Sequence, residues 1–168
     1  KTIARRDRRH GARLLSGGYS MGFTLRAALA DLPKDAQVTV AELVPEILDW
    51  ARGPMHELTA GCLDDRRVST EIEDVGAVID GAANAYDAIM LDVDNGPDGL
   101  SRAGNDYLYS MRGLRAARTA LRPGGILAIW SAAKDSVFLG RLRAAGFDVD
   151  EQVVRARSNG KGAHHVIW

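Results

Sequence analysis

Leu14-Leu15-Ser16 is an apolar run that breaks into Gly17-Gly18-Tyr19-Ser20-Met21-Gly22 and resumes as a helical pattern at Phe23-Thr24. A strand that enters a helix through glycines is the first unit of a doubly wound α/β sheet, and that unit places the turn at a ligand crevice. Glycines there adopt backbone angles that side chains forbid, and they let a ligand approach the main chain. The free N–H groups of the helix start face the same space. The next apolar run, Thr39-Val40-Ala41, ends in Glu42. A carboxylate at that strand tip can accept two hydrogen bonds from a ribose diol. The pattern therefore points to a nucleoside-type ligand, with Gly17, Gly18, Gly22 and Glu42 as its candidate contacts.

Two other glycine loops do not fit. A phosphate-cradling loop of the G-x-x-x-x-G-K-[ST] type matches Gly17, Gly22 and Thr24, but Phe23 stands where the lysine is required. The dinucleotide fingerprint G-x-G-x-x-G has Tyr19 at a glycine position in one register, and Ser20 and Phe23 at glycine positions in the other. Neither a triphosphate nor NAD is expected.

The chain has 168 residues, 46% of them hydrophobic and 26% charged, which suits one domain with a substantial core. Lys+Arg and Asp+Glu each number 22, so no overall basic excess points to nucleic acid. Lys1, Arg5, Arg6, Arg8, Arg9 and His10 form a local exception. Residues 1–11 read as a solvated basic leader or linker, and 12–168 as a single nucleoside-binding domain. No run approaches the length of a membrane span and no signal segment follows the basic start, so the expectation is a cytoplasmic protein with no membrane partner. The lone Cys62 has no partner for a disulfide or a metal at useful spacing.

Short β-type runs alternate with helical stretches, as parallel β-α units do. The pattern predicts strands over Ala12–Ser16, Gln37–Leu43, Val68–Ile72, Tyr86–Asp92 and Gly125–Trp130. It predicts helices over Phe23–Leu32, Pro45–Arg52, Val75–Ala82, Asp106–Leu121 and Ser136–Ala145. Pro45 suits a first helical turn. Phe147–Arg155 and Ala163–Trp168 are β-type runs joined by a short glycine-bearing link, which makes an antiparallel hairpin. The expected fold is α/β: a doubly wound, Rossmann-like, mostly parallel sheet closed by a C-terminal hairpin.

The order Leu15-Ser16-Gly17-Gly18, Val40-Ala41-Glu42-Leu43, Leu63-Asp64-Asp65-Arg66-Arg67-Val68, Glu73-Asp74, Tyr86-Asp87-Ala88-Ile89-Met90-Leu91-Asp92 and Leu121-Arg122-Pro123-Gly124-Gly125 resembles class I S-adenosylmethionine-dependent transferases. Among these it is most similar to the spermidine synthase-like branch, from about Gly11 to Trp168. The resemblance implies that Gly17, Gly18 and Gly22 line the methionine or aminopropyl part of S-adenosylmethionine or its decarboxylated form, and that Glu42 holds the ribose. It implies that Asp74 accepts from the adenine amino group with Val75 beside the ring, and that Asp92 is the catalytic carboxylate that helps deprotonate an attacking amine. In the family loop an aspartate meets the aminopropyl amine; Tyr19-Ser20-Met21 occupies that region here. The family segment Asp-x-x-Asp-Pro is replaced by Asp92-Val93-Asp94-Asn95-Gly96-Pro97.

A carboxylate beside an amine can orient it and take its proton, so Asp92 suits a small cationic amine acceptor. Asp94 and Tyr107 are the candidate acceptor contacts, although Asp94 to Gly99 also reads as an ordinary polar turn. A metal-assisted O-methyltransferase would need further oxygen ligands after the fifth strand, and Trp130-Ser131-Ala132-Ala133-Lys134 supplies none, so no metal is expected. His164 and His165, adjacent on a strand, point to opposite faces. Trp50, Trp130 and Trp168 read as core or interface aromatics. A homodimer covering an exposed sheet edge is a further candidate partner. A domain that keeps the nucleoside site without catalysis remains the alternative.

Overall fold

The computed structural model describes residues 11–93, 96–97, 106–155 and 162–168. Seven strands form one sheet: β1 (Arg13–Gly17), β2 (Gln37–Glu42), β3 (Val68–Ile72), β4 (Tyr86–Leu91), β5 (Leu121–Ser131), β6 (Gln152–Arg155) and β7 (His164–Ile167). Their order across the sheet is β3-β2-β1-β4-β5-β7-β6. The first five pair in parallel, and β7 pairs antiparallel with both β5 and β6. This is the doubly wound sheet with a terminal hairpin that the residue pattern predicts. Among the described residues the α-helices in chain order are α1 (Phe23–Asp31), α2 (Pro45–Arg52), α3 (Val75–Asp80), α4 (Asp106–Tyr109), α5 (Met111–Ala120) and α6 (Ser136–Ala144).

Strand alternation sorts the core onto two faces. Leu15, Ile89, Leu91 and Ile129 join α3 to α6 through Ile79, Leu108, Leu114 and Phe138. Leu14, Val38, Val40, Ala88 and Met90 join α1 and α2 through Leu25, Leu29 and Leu48. Because both faces are covered, β1 and β4 read as continuous apolar runs rather than alternating ones.

Four expectations are corrected. The helix expected over 106–121 is two helices, broken at Ser110, whose hydroxyl caps α5 by accepting from the Gly113 amide at 3.1 Å. Gly113 allows that break, since a Cβ there would collide with the Tyr107 carbonyl. The fifth strand starts at Leu121 rather than Gly125, and Pro123-Gly124 is absorbed by a register shift opposite Tyr86 and Ala88. The strand expected over 147–155 is confined to Gln152–Arg155. Residues 53–64, left without structure by the sequence pattern, form turns and a short 3-10 helix over Cys62–Asp64 that carries Cys62 and Leu63 into the α1/α2 core.

Trp168 is buried, edge-on to Phe138 at 5.2 Å, and Trp130 stacks on His165 at 4.8 Å. Trp50, in contrast, is 57% exposed on α2. The basic residues 1–10 and the hairpin link 156–161 lie outside the described residues.

Candidate functional site

The sheet order reverses between β1 and β4: β2 and β3 extend to one side of β1, and β5 extends beyond β4 to the other. At such a switch point the connections leave in opposite directions and open a crevice at the carboxyl ends of the strands. Gly17 ends β1 there, in register with Ala41 of β2 and Leu91 of β4. Glu42 and Asp92 therefore flank the glycine turn from either side.

The turn itself is tightly determined. Gly18 and Gly22 have positive φ of 75° and 70°, a region that favours glycine. A Cβ on Gly17 would meet Val75 Cγ2 at 2.9 Å, and one on Gly18 would meet the Asp92 carbonyl oxygen at 3.2 Å. A third residue of the turn, Ser20, also has positive φ, at 52°. The Gly18 amide donates to the Ala41 carbonyl at 2.9 Å, and the Gly22 amide to the Tyr19 carbonyl at 2.8 Å. At Gly17, Gly18 and Gly22 the protein's own atoms leave no room for a side chain, so the turn is closely packed around its glycines.

Glu42 is buried, 5% exposed, and its two oxygens accept separate backbone amides: Oε2 from Tyr19 at 2.8 Å and Oε1 from Val44 at 2.9 Å. Each carboxylate oxygen has a second lone pair, so capacity for a diol remains. Glu42 thus ties the loop after β1 to the loop after β2.

Asp92 is half-buried, and its Oδ2 accepts from the Thr24 hydroxyl of α1 at 2.9 Å. Asp74 caps α3, accepting from the Gly76 amide at 2.7 Å through Oδ1. Val75 is buried with its methyl groups against Gly17. The Tyr107 hydroxyl donates to Asp80, and its ring lies over Gly76, where Asp74 Oδ1 also sits. Burial, and then the Asp80 carboxylate, raise the Tyr107 phenol above its ordinary pKa. Tyr107 is therefore brought to Asp74 and the start of α3. Asp94 lies outside the described residues, as does Asp98. Among the described residues no cluster of three metal-ligating side chains occurs, and no helix is long and apolar enough to cross a membrane.

Two contributors escaped the sequence pattern. Thr24 looks like an ordinary first-turn residue, and only the closeness of α1 to the end of β4 reveals its contact with Asp92. Tyr19 turns down into the α1/α2 core, 3% exposed, with its hydroxyl 3.4 Å from Cys62 Sγ. Burial pushes its phenol up to about 12. Its ring fills the space beneath Gly22, where a Cβ would meet the hydroxyl at 2.5 Å. Adjacent glycines and a following helix start were the signal for this loop, but which way the tyrosine turns was not in it.

Comparison with known proteins agrees with this geometry. A family model described as the spermine/spermidine synthase domain matches residues 14–141. The chain is 33% identical over 119 residues to a polyamine aminopropyltransferase of Nitrosomonas europaea, covering 70% of this chain and 35% of that protein. It is 32% identical over 152 residues to one from Mycobacterium tuberculosis, covering 83% of this chain and 28% of that protein. The chain thus spans about a third of the length of these curated relatives. In fold it resembles spermidine synthase from Thermotoga maritima, with a TM-score of 0.66 at 17% identity over 94% of this chain and 52% of that one. A human methyltransferase-like protein solved in complex with SAH gives 0.67 at 18% identity over 99% of this chain and 76% of that one. A glycine turn at the β1/β4 switch, flanked by strand-end carboxylates, sits within the matched span, and the chain belongs to the spermine/spermidine synthase domain family, whose sheet is that of class I S-adenosylmethionine-dependent transferases.

Proposed function

We propose that this domain binds S-adenosylmethionine or its decarboxylated form and transfers a methyl or aminopropyl group from the sulfonium to a small amine. The observation that carries the reading is the placement of Glu42 and Asp92 on opposite sides of the glycine turn at the switch point. Glu42 would hold the ribose, and Gly17, Gly18 and Gly22 the chain on sulfur. Asp74 and Val75 would border the adenine, with Tyr107 beside them. Asp92, with Asp94 as a further acceptor contact, would receive the amine. In the reaction the amine lone pair forms a bond to the carbon on sulfur as the C–S bond breaks. The bonding pair stays on sulfur, leaving a neutral thioether, and the surplus proton leaves the new ammonium to Asp92 or water. Alignment of an uncharged amine supplies most of the acceleration such a displacement can gain from a protein.

The loop favours the intact donor, and with it methyl transfer. A decarboxylated donor presents an ammonium that wants a counter-charge in the turn, whereas Tyr19, Ser20 and Met21 offer none and the Tyr19 ring is buried away. The free amides of a helix start suit a carboxylate instead. Calorimetric titration with S-adenosylmethionine, its decarboxylated form and 5′-methylthioadenosine tests this. Tightest binding of the intact form is expected. Preference for the decarboxylated form would reverse the choice of donor, and binding of none would overturn the nucleoside reading. A second reading, nucleoside binding without turnover, rests on the same residues, because a fold with a nucleoside crevice does not by itself supply catalysis. Binding with no transfer to any amine would establish it.

A further inference from the structure

We infer that Thr24 is a positioning residue for Asp92, fixing which carboxylate oxygen is presented to the acceptor; this rests on the transferase reading above. Thr24 is the second residue of α1, directly after the glycine turn. Its hydroxyl donates to Asp92 Oδ2 at 2.9 Å across a sequence separation of 68 residues. Asp92 stands just past the last residue of β4, where the strand ladder no longer holds the backbone firmly: its amide reaches the Gly17 carbonyl at a long 3.4 Å. The side chain is half-buried, so packing alone does not enclose it on every side. The threonine hydroxyl supplies the missing restraint. A β-branched side chain at a helix start has few χ1 choices, so its oxygen is itself well placed.

The contact has two consequences. It takes up one lone pair of Oδ2 and leaves Oδ1 with both, so Oδ1 is the oxygen better placed to receive the amine proton. It also connects α1, whose first turn borders the glycine cradle, to the catalytic carboxylate, so that the donor site and the acceptor site share one rigid element.

The test compares Thr24→Val, which keeps the shape and loses the hydroxyl, with Thr24→Ser, which keeps the hydroxyl. Donor affinity is measured by calorimetry and turnover by single-turnover transfer to an amine. Thr24→Val is expected to bind the donor within about twofold of the parent and to lose about 10- to 100-fold in turnover, the range for a reacting group displaced by about an ångström. Thr24→Ser should restore most of that loss, and Thr24→Val should add little to Asp92→Asn, because both act through the same carboxylate. Unchanged turnover in Thr24→Val, or a fall in turnover matched by an equal fall in donor affinity, would overturn the assignment. If the parent protein transfers nothing, the transferase reading is what has failed. Crystal structures of the parent and Thr24→Val then decide the contact: a carboxylate that changes rotamer supports the assignment, and one that stays in place overturns it.

Discussion

Glu42 accepts two backbone amides from different loops, so its removal acts on stability as well as on ligand. Glu42→Ala leaves the buried Tyr19 N–H without its partner, costing about 1–3 kcal/mol, while the part-buried Val44 N–H can turn to solvent. Thermal unfolding of the variant without ligand should therefore show a lower Tm, and calorimetry a weakened affinity for every adenosine ligand. A normal Tm with weakened binding would mean that the two amides find other acceptors. Gly18→Ala acts differently. Its positive φ costs about 1–2 kcal/mol for a side-chain-bearing residue. Its Cβ would also press on the Asp92 carbonyl at 3.2 Å. Loss of donor affinity beyond what the change in Tm accounts for is expected, and equal affinity would show that the donor does not approach this backbone.

Between β2, β3 and α1 a single arginine does the joining. Arg67 donates to both oxygens of Asp65 and to the carbonyls of Leu29, Leu32 and Pro33, satisfying the end of α1 where β3 begins. The guanidinium holds the Asp65 carboxyl down to about 2. Because the folded value is depressed, the stabilisation is fully present above the ordinary carboxylate range and is lost as pH falls through the folded value. The pair is partly solvated, so the effect is on the order of 1 kcal/mol. Urea unfolding from pH 5 to pH 2 should lose that increment in the parent and not in Asp65→Asn. Arg67→Lys should destabilise too, since an ammonium cannot reproduce the planar fork. At this level the sequence pattern performs well where a β-type run is bounded by turn residues, as at Val68–Ile72, or where proline marks a helix start, as at Pro45–Arg52. It misleads where tertiary contact overrides local preference. Nothing local shows that α4 ends at Tyr109; the break depends on Gly113 lying against the Tyr107 carbonyl.

Across the whole molecule, the same contrast separates the visible from the hidden parts of the site. Glycines and strand-end acids carry their geometry in the chain, because φ preferences and strand tips are local properties; Gly17, Gly18, Glu42 and Asp92 accordingly gather at one crevice. Thr24, the downward turn of Tyr19 and the pull of Tyr107 toward Asp80 depend on which elements lie side by side, and that is decided only when α1 and α3 pack on opposite faces of the sheet. One consequence follows from the network of Ala41, Glu42 and Gly17 around the glycine turn. The loop is held by the protein's own hydrogen bonds, so binding orders little new backbone and most of the contact energy is left for affinity. Hydrogen exchange should therefore find the Tyr19 amide slow in the free protein and hardly slower with donor bound. A crevice assembled in advance in this way admits its ligand like a key to a cut lock, with an association rate governed by diffusion and orientation and not by loop rearrangement.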